Sequence, residues 1–202
     1  MIHRRLHAEQ LLAFETEYRS AGTVAGIDEA GRGPLAGPVV AACVIMPPDP
    51  VIIWVDDSKK LSEKRRESVY SEILSCALYV KTGIIPPEEI DRINILQATK
   101  EAMRAAASDA DADFFLIDAV KDLGLSGNEV PIIKGDALSY SIAAASIVAK
   151  VTRDRIMKDL DLIRPGYGFA KNKGYGTKEH IEALKLLGPC PEHRRTFIGN
   201  FV

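Results

Sequence analysis

The stretch Gly26-Ile27-Asp28-Glu29-Ala30-Gly31-Arg32-Gly33-Pro34 constrains this chain more than any other, because an apolar, strand-like segment runs straight into two adjacent acids and a glycine-rich turn. Adjacent carboxylates repel and raise each other's pKa. A fold holds them at least cost with a cation between them, most often a divalent metal. Side chains at neighbouring strand positions point to opposite faces, so Asp28 and Glu29 share an ion only where the strand ends or twists sharply. Gly31 and Gly33 permit that twist, and they let a backbone approach a ligand and offer N–H groups to a phosphate or a sugar hydroxyl. A solvated turn closing a strand accounts for the same residues, and the pattern by itself leaves both readings open.

The chain has 202 residues, 47% of them apolar and 27% charged, the make-up of a soluble globular protein. The expectation is one domain over residues 1–202, with a leading helix within 1–22 and, from about 165 to 202, a basic Gly/Tyr loop and a small helical C-terminal part. A net charge of -2 gives no whole-molecule field that draws in nucleic acid, so a polyanion site needs locally concentrated Lys and Arg. Cys43, Cys76 and Cys190 are far apart and without a C-x-x-C spacing, which reads as three reduced thiols. Charges interrupt the first twenty residues where a signal peptide would be apolar, and no run reaches the roughly 18 apolar residues of a membrane span. No membrane association and a cytoplasmic location are expected.

Helical spacing runs from Leu6 to Tyr18. Extended patterns follow at Val24–Ala30, Val39–Met46 and Val51–Val55, punctuated by Gly37-Pro38 and Pro47-Pro48, and predict a three-stranded antiparallel meander. Ser62 is a good N-cap for a helix carrying Val69, Tyr70, Ile73 and Leu74. Leu78–Ile85 then reads as a strand, Asn94–Ala107 as an alanine-rich helix, Phe114–Ile117 as a short buried strand and Val130–Ile133 as another extended piece. Ser139–Ile163 is a long Ala/Ser-rich helix whose small residues let it lie close to a sheet. A glycine-rich irregular stretch from Gly166 to Gly176 precedes a helix from Thr177 to Leu187. Together these predict an α/β protein with one mixed sheet and a helical C-terminal part.

Further acids join Asp28 and Glu29 by position. Asp118 follows Phe114-Phe115-Leu116-Ile117 at the carboxyl end of an expected strand, where open α/β sheets place ligand-binding groups; a turn or cap acid is the rival reading. Asp136 lies just ahead of the long helix, so N-capping explains it as well. Asp154, between Arg153 and Arg155, reads as a salt-bridged surface acid. Acids at 28, 29, 118 and 136 are what a two-metal phosphodiester hydrolase needs: carboxylate oxygens suit Mg²⁺ or Mn²⁺, with the two ions about 4 Å apart. His3, His7, His180 and His193 all fall outside the acidic motifs, which argues against an imidazole acid/base pair and attack by a ribose 2′-hydroxyl. Lys59, Lys60, Lys171, Lys173, Lys178, Arg194 and Arg195 lie where they could meet phosphates, though each singly also reads as a solvated charge. Tyr175, between Gly174 and Gly176, is placed to stack on a sugar or base, or to pack as a turn aromatic.

Gly26 to Pro34 with Leu35-Ala36-Gly37-Pro38-Val39-Val40, Asp57-Ser58-Lys59-Lys60-Leu61-Ser62, Lys134-Gly135-Asp136, the segment Ala143 to Asp154, and Asn172-Lys173-Gly174-Tyr175-Gly176-Thr177 together resemble bacterial ribonuclease HII, over about residues 23–197. The resemblance implies a ribonuclease H-like fold with a mixed five-stranded sheet flanked by helices. It also implies a monomer, working in replication and ribonucleotide excision repair, that cuts RNA within RNA/DNA hybrids and at single ribonucleotides embedded in duplex DNA, leaving 5′-phosphate and 3′-hydroxyl ends. Carried over by motif, Asp28, Glu29, Asp118 and Asp136 become the acids that hold two Mn²⁺ or Mg²⁺ ions. Gly31, Arg32 and Gly33 become the element that recognises the 2′-hydroxyl at the RNA-to-DNA junction, and Tyr175 the residue packing on the neighbouring deoxyribose, with Lys59, Lys60 and Lys173 as further substrate contacts. The related type HIII carries an extra N-terminal substrate-binding domain, and only about twenty residues precede the first expected strand, Val24–Ala30, so type HII is expected. Two rivals remain. A phosphotransferase would need a G-x-x-x-x-G-K-[ST] loop that the chain lacks, and a nucleic-acid-binding module without catalysis would have no need for acids facing a polyanion.

Overall fold

Apolar runs form the sheet. In the computed structural model, which describes residues 2–56 and 58–201, β1 (Val24–Ala30) and β2 (Val39–Ile45) pair antiparallel from Gly26↔Val44 to Ala30↔Val40. Asp57 and the side chain of His3 lie outside the described residues. β3 (Tyr79–Ile85) adds antiparallel to β2, while β4 (Phe114–Asp118) lies parallel on the other side of β1, and β5 (Asn128–Ile132) is parallel to β4. Among the described residues these make one five-stranded mixed sheet in the order β3-β2-β1-β4-β5.

The meander exists, but its third strand is β3 and not Val51–Val55. That segment is loop, although it is apolar and bounded by prolines. Its Ile52 N–H donates to the Tyr140 hydroxyl at 2.7 Å, and Ile52 and Val55 are buried in a core cluster with the long helix, so tertiary packing replaces strand pairing. The leading helix is also divided, into α1 (Ile2–Leu11) and α2 (Ala13–Arg19).

Among the described residues seven further helices complete the layers, and four of them follow β5. α3 (Glu63–Cys76) starts at Ser62, whose hydroxyl accepts from the Arg65 N–H, and α4 (Pro87–Ile93) was not foreseen. Asn94 (φ 66°) breaks α4 from α5 (Ile95–Ala107) and caps α5 by accepting from Leu96 and Gln97. α6 (Tyr140–Ile163), α7 (Phe169–Asn172), α8 (Lys178–Leu187) and α9 (Arg195–Ile198) follow. Strand alternation sorts the core. Ala42 and Val44 face α3 and α6, whereas Ala41, Cys43 and Ile45 face α5, so β2 is buried on both sides and reads as a continuous apolar run.

α6 rests directly on β1. A Cβ at Gly26 would lie 2.1 Å from the Ser141 carbonyl carbon, so only glycine allows the approach. Fully buried Glu15 of α2 fastens the start of α6, accepting from the Ser139 hydroxyl at 2.7 Å and the Ser141 N–H at 2.6 Å. Beyond α6, a smaller cluster of Ala36, Met157, Tyr167, Phe169 and Cys190 joins the C-terminal part to the turn after β1. Among the described residues no helix is long and apolar enough to cross a membrane.

Candidate active site

The parallel register of β1 and β4 ends with Ile27 against Ile117, so Asp28, two residues before the end of β1, and Asp118, the last residue of β4, follow at the same level. Asp28 is buried, and its Oδ1 accepts from the Glu29 N–H at 2.7 Å. Burial pushes its carboxyl well above the usual range, and the charges of Glu29 and Asp118 push it further, against hydrogen bonds from Ser146 and the Glu29 backbone. Burial also raises Glu29; Arg32, 3.5 Å away, opposes this and Asp118 adds to it. The Oε2 of Glu29 is buried with no hydrogen-bond partner. Asp118 is raised by burial, held back by the Gly135 N–H that donates to its Oδ1 at 2.7 Å, and raised by Asp136. Asp136 sits in a 3-10 turn (Gly135–Ala137) with Lys59 Nζ 3.3 Å from its Oδ2. It does not cap α6; Ser139 does, accepting from the Ile142 N–H.

Among the described residues no three His, Cys, Asp or Glu side chains are gathered closely enough to hold an ion as they stand. The donor set nevertheless fits a hard divalent cation. It is all oxygen, it is buried under mutual repulsion, and one carboxylate oxygen lacks a partner.

Beside the acids a cleft of about 260 Å³ is lined by Glu29, the Gly31-Arg32-Gly33 turn, Lys59 and Tyr175, with Ser146, Lys150 and Arg153 of α6 behind them. Gly31 (φ 98°) has no room for a side chain, since a Cβ would meet Arg153, whereas Gly33 faces open space and leaves its backbone approachable. Tyr175 is 46% exposed, so its ring is available to a ligand. Lys60 and Lys173 are turned elsewhere, Lys60 to Asp56 at 3.4 Å and Lys173 to the Ala170 carbonyl.

The model of the family described as Ribonuclease HII matches residues 25–199. The chain is 54% identical to ribonuclease HII of Ruminiclostridium cellulolyticum over 198 residues, 96% of this chain and 78% of that one. It is 53% identical to ribonuclease HII of Lachnoclostridium phytofermentans, over 98% of this chain and 81% of that one. The chain belongs to the ribonuclease HII family. Solved structures agree with the fold. Ribonuclease H2 of Pyrococcus horikoshii matches with a TM-score of 0.72 at 28% identity, covering 86% of this chain and 93% of that one. The RNase HII solved in complex with PCNA from Archaeoglobus fulgidus matches with a TM-score of 0.76 at 28% identity, covering 88% and 96%. As a ribonuclease HII family member the chain is an enzyme, a hydrolase of the ribonuclease H type.

Some polar residues of this ribonuclease HII family member sit where the sequence did not place them. Ser146 shares a 2.9 Å hydrogen bond with Ser58 and contacts Asp28. Lys150 and Arg153 lie one and two helical turns further on, a spacing that marks one face of α6. Asp154 is a buried acid, not a surface one: it pairs with Lys150 at 2.5 Å and Arg66 at 3.9 Å, because the α6 face that carries it packs under α3. Arg194 is fully buried and is no phosphate contact. Lys171 and Lys178 are exposed beside Glu179 and Glu182. The three cysteines are free thiols.

Proposed function

We propose that the chain is an endoribonuclease that hydrolyses the RNA strand of RNA/DNA hybrids and nicks on the 5′ side of single ribonucleotides embedded in duplex DNA. The observation that carries this reading is a set of buried and half-buried acids, Asp28, Glu29 and Asp118 on two adjacent parallel strands and Asp136 in the turn after β5, whose charges act on one another beside a cleft with a bare glycine backbone and an exposed tyrosine.

Asp28, Glu29, Asp118 and Asp136 would hold two Mn²⁺ or Mg²⁺ ions, which when bound supply Lewis acidity at the phosphate and a water of lowered pKa. The chain's own residues do the rest. The Gly135 N–H fixes the Asp118 carboxylate, and the Glu29 N–H fixes that of Asp28, so the acids are oriented before any substrate arrives. Because its carboxyl is raised, Asp28 would have to be deprotonated to hold a cation, which would couple metal affinity to pH. Lys59 stands in the cleft beside Asp136, where its ammonium meets a phosphate. The open backbone at Gly33 allows main-chain contact with a ribose 2′-hydroxyl, the group that separates RNA from DNA, and Tyr175 stacks on the neighbouring deoxyribose. Water adds to phosphorus and the bond to the 3′-oxygen breaks, so the ribonucleotide keeps a 5′-phosphate and its upstream neighbour a 3′-hydroxyl. His180 and His193 take no part in the chemistry, because they are buried against each other.

The test is a labelled DNA duplex carrying one ribonucleotide, incubated in Mg²⁺, in Mn²⁺ and with chelator. A nick on the 5′ side of the ribonucleotide, abolished by chelator, is expected. Binding without a nick in either metal would leave a binding module instead.

A further inference from the structure

His193 and Arg194, adjacent in sequence and both buried, reach in different directions to the two elements that flank the cleft. The Arg194 guanidinium donates to the Gly31 carbonyl at 2.6 Å, to Arg32 at 2.9 Å, and to Gly37 from Nε at 3.0 Å and Nη2 at 2.8 Å. One planar fork thus closes the turn that carries Gly31, Arg32 and Gly33. The backbone joins in: Arg194 N–H donates to Leu35, Gly37 N–H to Glu192, and Ala36 bridges to His193.

His193 works the other way, through a chain whose direction is fixed by elimination. Its Nδ1 lies 3.1 Å from the Cys190 backbone nitrogen, which can only donate, and 3.0 Å from the Cys190 thiol, so Nδ1 is the acceptor. The proton of His193 is therefore on Nε2, which donates to Nε2 of His180 at 3.1 Å. That leaves the proton of His180 on Nδ1, which donates to the Tyr175 carbonyl at 2.8 Å. Two neutral imidazoles in opposite tautomers hold the backbone of Tyr175.

We propose that His193 and Arg194 are positioning residues that set the spacing between the Gly31–Gly33 turn and Tyr175, and through it the preference for a lone ribonucleotide over a continuous RNA strand. This rests on the function proposed above. Reading a junction requires one group on the ribose and another on the next deoxyribose at a fixed separation, and a misplacement of about 1 Å can cost a hundredfold. A continuous RNA strand offers no deoxyribose beside the cut, so it makes no such demand on the spacing.

The experiment compares kcat/KM for a duplex with one ribonucleotide against that for an all-RNA/DNA hybrid, in wild type, Arg194→Lys, His193→Gln, His180→Leu and His180→Asn. Lysine keeps the charge of Arg194 but cannot span three carbonyls as a fork does. Arg194→Lys, His193→Gln and His180→Leu should lower the ratio of the two values about tenfold, with hybrid cleavage less affected. His180→Asn, whose amide still donates toward the Tyr175 carbonyl, should restore most of the ratio. Imidazole nitrogen NMR of the wild type should show the proton on Nε2 of His193 and on Nδ1 of His180, whether or not any variant folds. Unchanged ratios in the folded variants, or the reverse tautomers, overturn the inference while the proposed function stands. A wild type that cleaves neither substrate in either metal sinks both.

Discussion

Asp28 and Arg194 are both ionisable groups sealed from solvent, and burial pushes each toward its neutral form, Asp28 upward and Arg194 down to about 9. Their surroundings differ in kind. Arg194 spends its donors on the carbonyls of Gly31, Arg32 and Gly37, so the chain satisfies it unaided. Asp28 receives a hydrogen bond from the Glu29 N–H and one from Ser146, and is set against Glu29 and Asp118. The frame is finished by folding, whereas the acid cluster waits for a cation from outside. A buried charge that the chain completes holds shape, and one that it leaves incomplete is available for chemistry.

The sharpest way to break this contrast is Asp28→Asn. Cleavage should fall at least about a hundredfold, while the metal-free protein gains stability, its thermal midpoint rising by about 2–4 °C as roughly 1 kcal/mol of repulsion is relieved. Retained cleavage with an unmoved midpoint would erase the distinction. Arg194→Ala should do the reverse to stability, costing about 3 kcal/mol in urea unfolding because several buried carbonyls lose their donor. A loss below about 0.5 kcal/mol would mean that water replaces the guanidinium at no expense.

The two regions should also titrate with opposite sign. Asp28, Glu29 and Asp118 have raised folded values, so their contribution is present at low pH and lost as pH rises through those values. His193 is lowered by burial and then by His180, from 6.5 to about 4, so its contribution is full above 6.5 and is lost as pH falls toward 4. His193→Gln should flatten the acid limb of the metal-free stability curve and Asp28→Asn the loss toward neutrality; an exchange of those effects would contradict the assignment. The smallest effect is expected at Tyr175→Ala. Its ring is half exposed, so stability should change by no more than about 0.5 kcal/mol, while preference for a junction over an all-RNA strand declines. Unchanged preference would remove Tyr175 from recognition.

What the sequence revealed follows the same division. β1, β2, β4 and α6 were legible because their apolar or Ala/Ser runs are local signals, and Asp28, Glu29 and Asp118 stood out as acids ending such runs. Val51–Val55 carried the same local signal as a strand; what decides its state is the hydroxyl of Tyr140, 88 residues from Ile52. Asp154 and Arg194 were illegible for a related reason. Each sits among charged neighbours that look solvated, and the carbonyls that hold Arg194 lie at least 157 residues away in the chain. Polar burial of that kind is a property of the assembled fold.

Gly26 shows how far such assembly reaches. It touches no ligand and carries no functional group, yet a methyl there would collide with the backbone of Ser141 and lift α6, and with it Ser146, away from Asp28. A library screened for loss of cutting would score position 26 beside the acids, and a map drawn from that screen would mark a spacer as though it were a reagent.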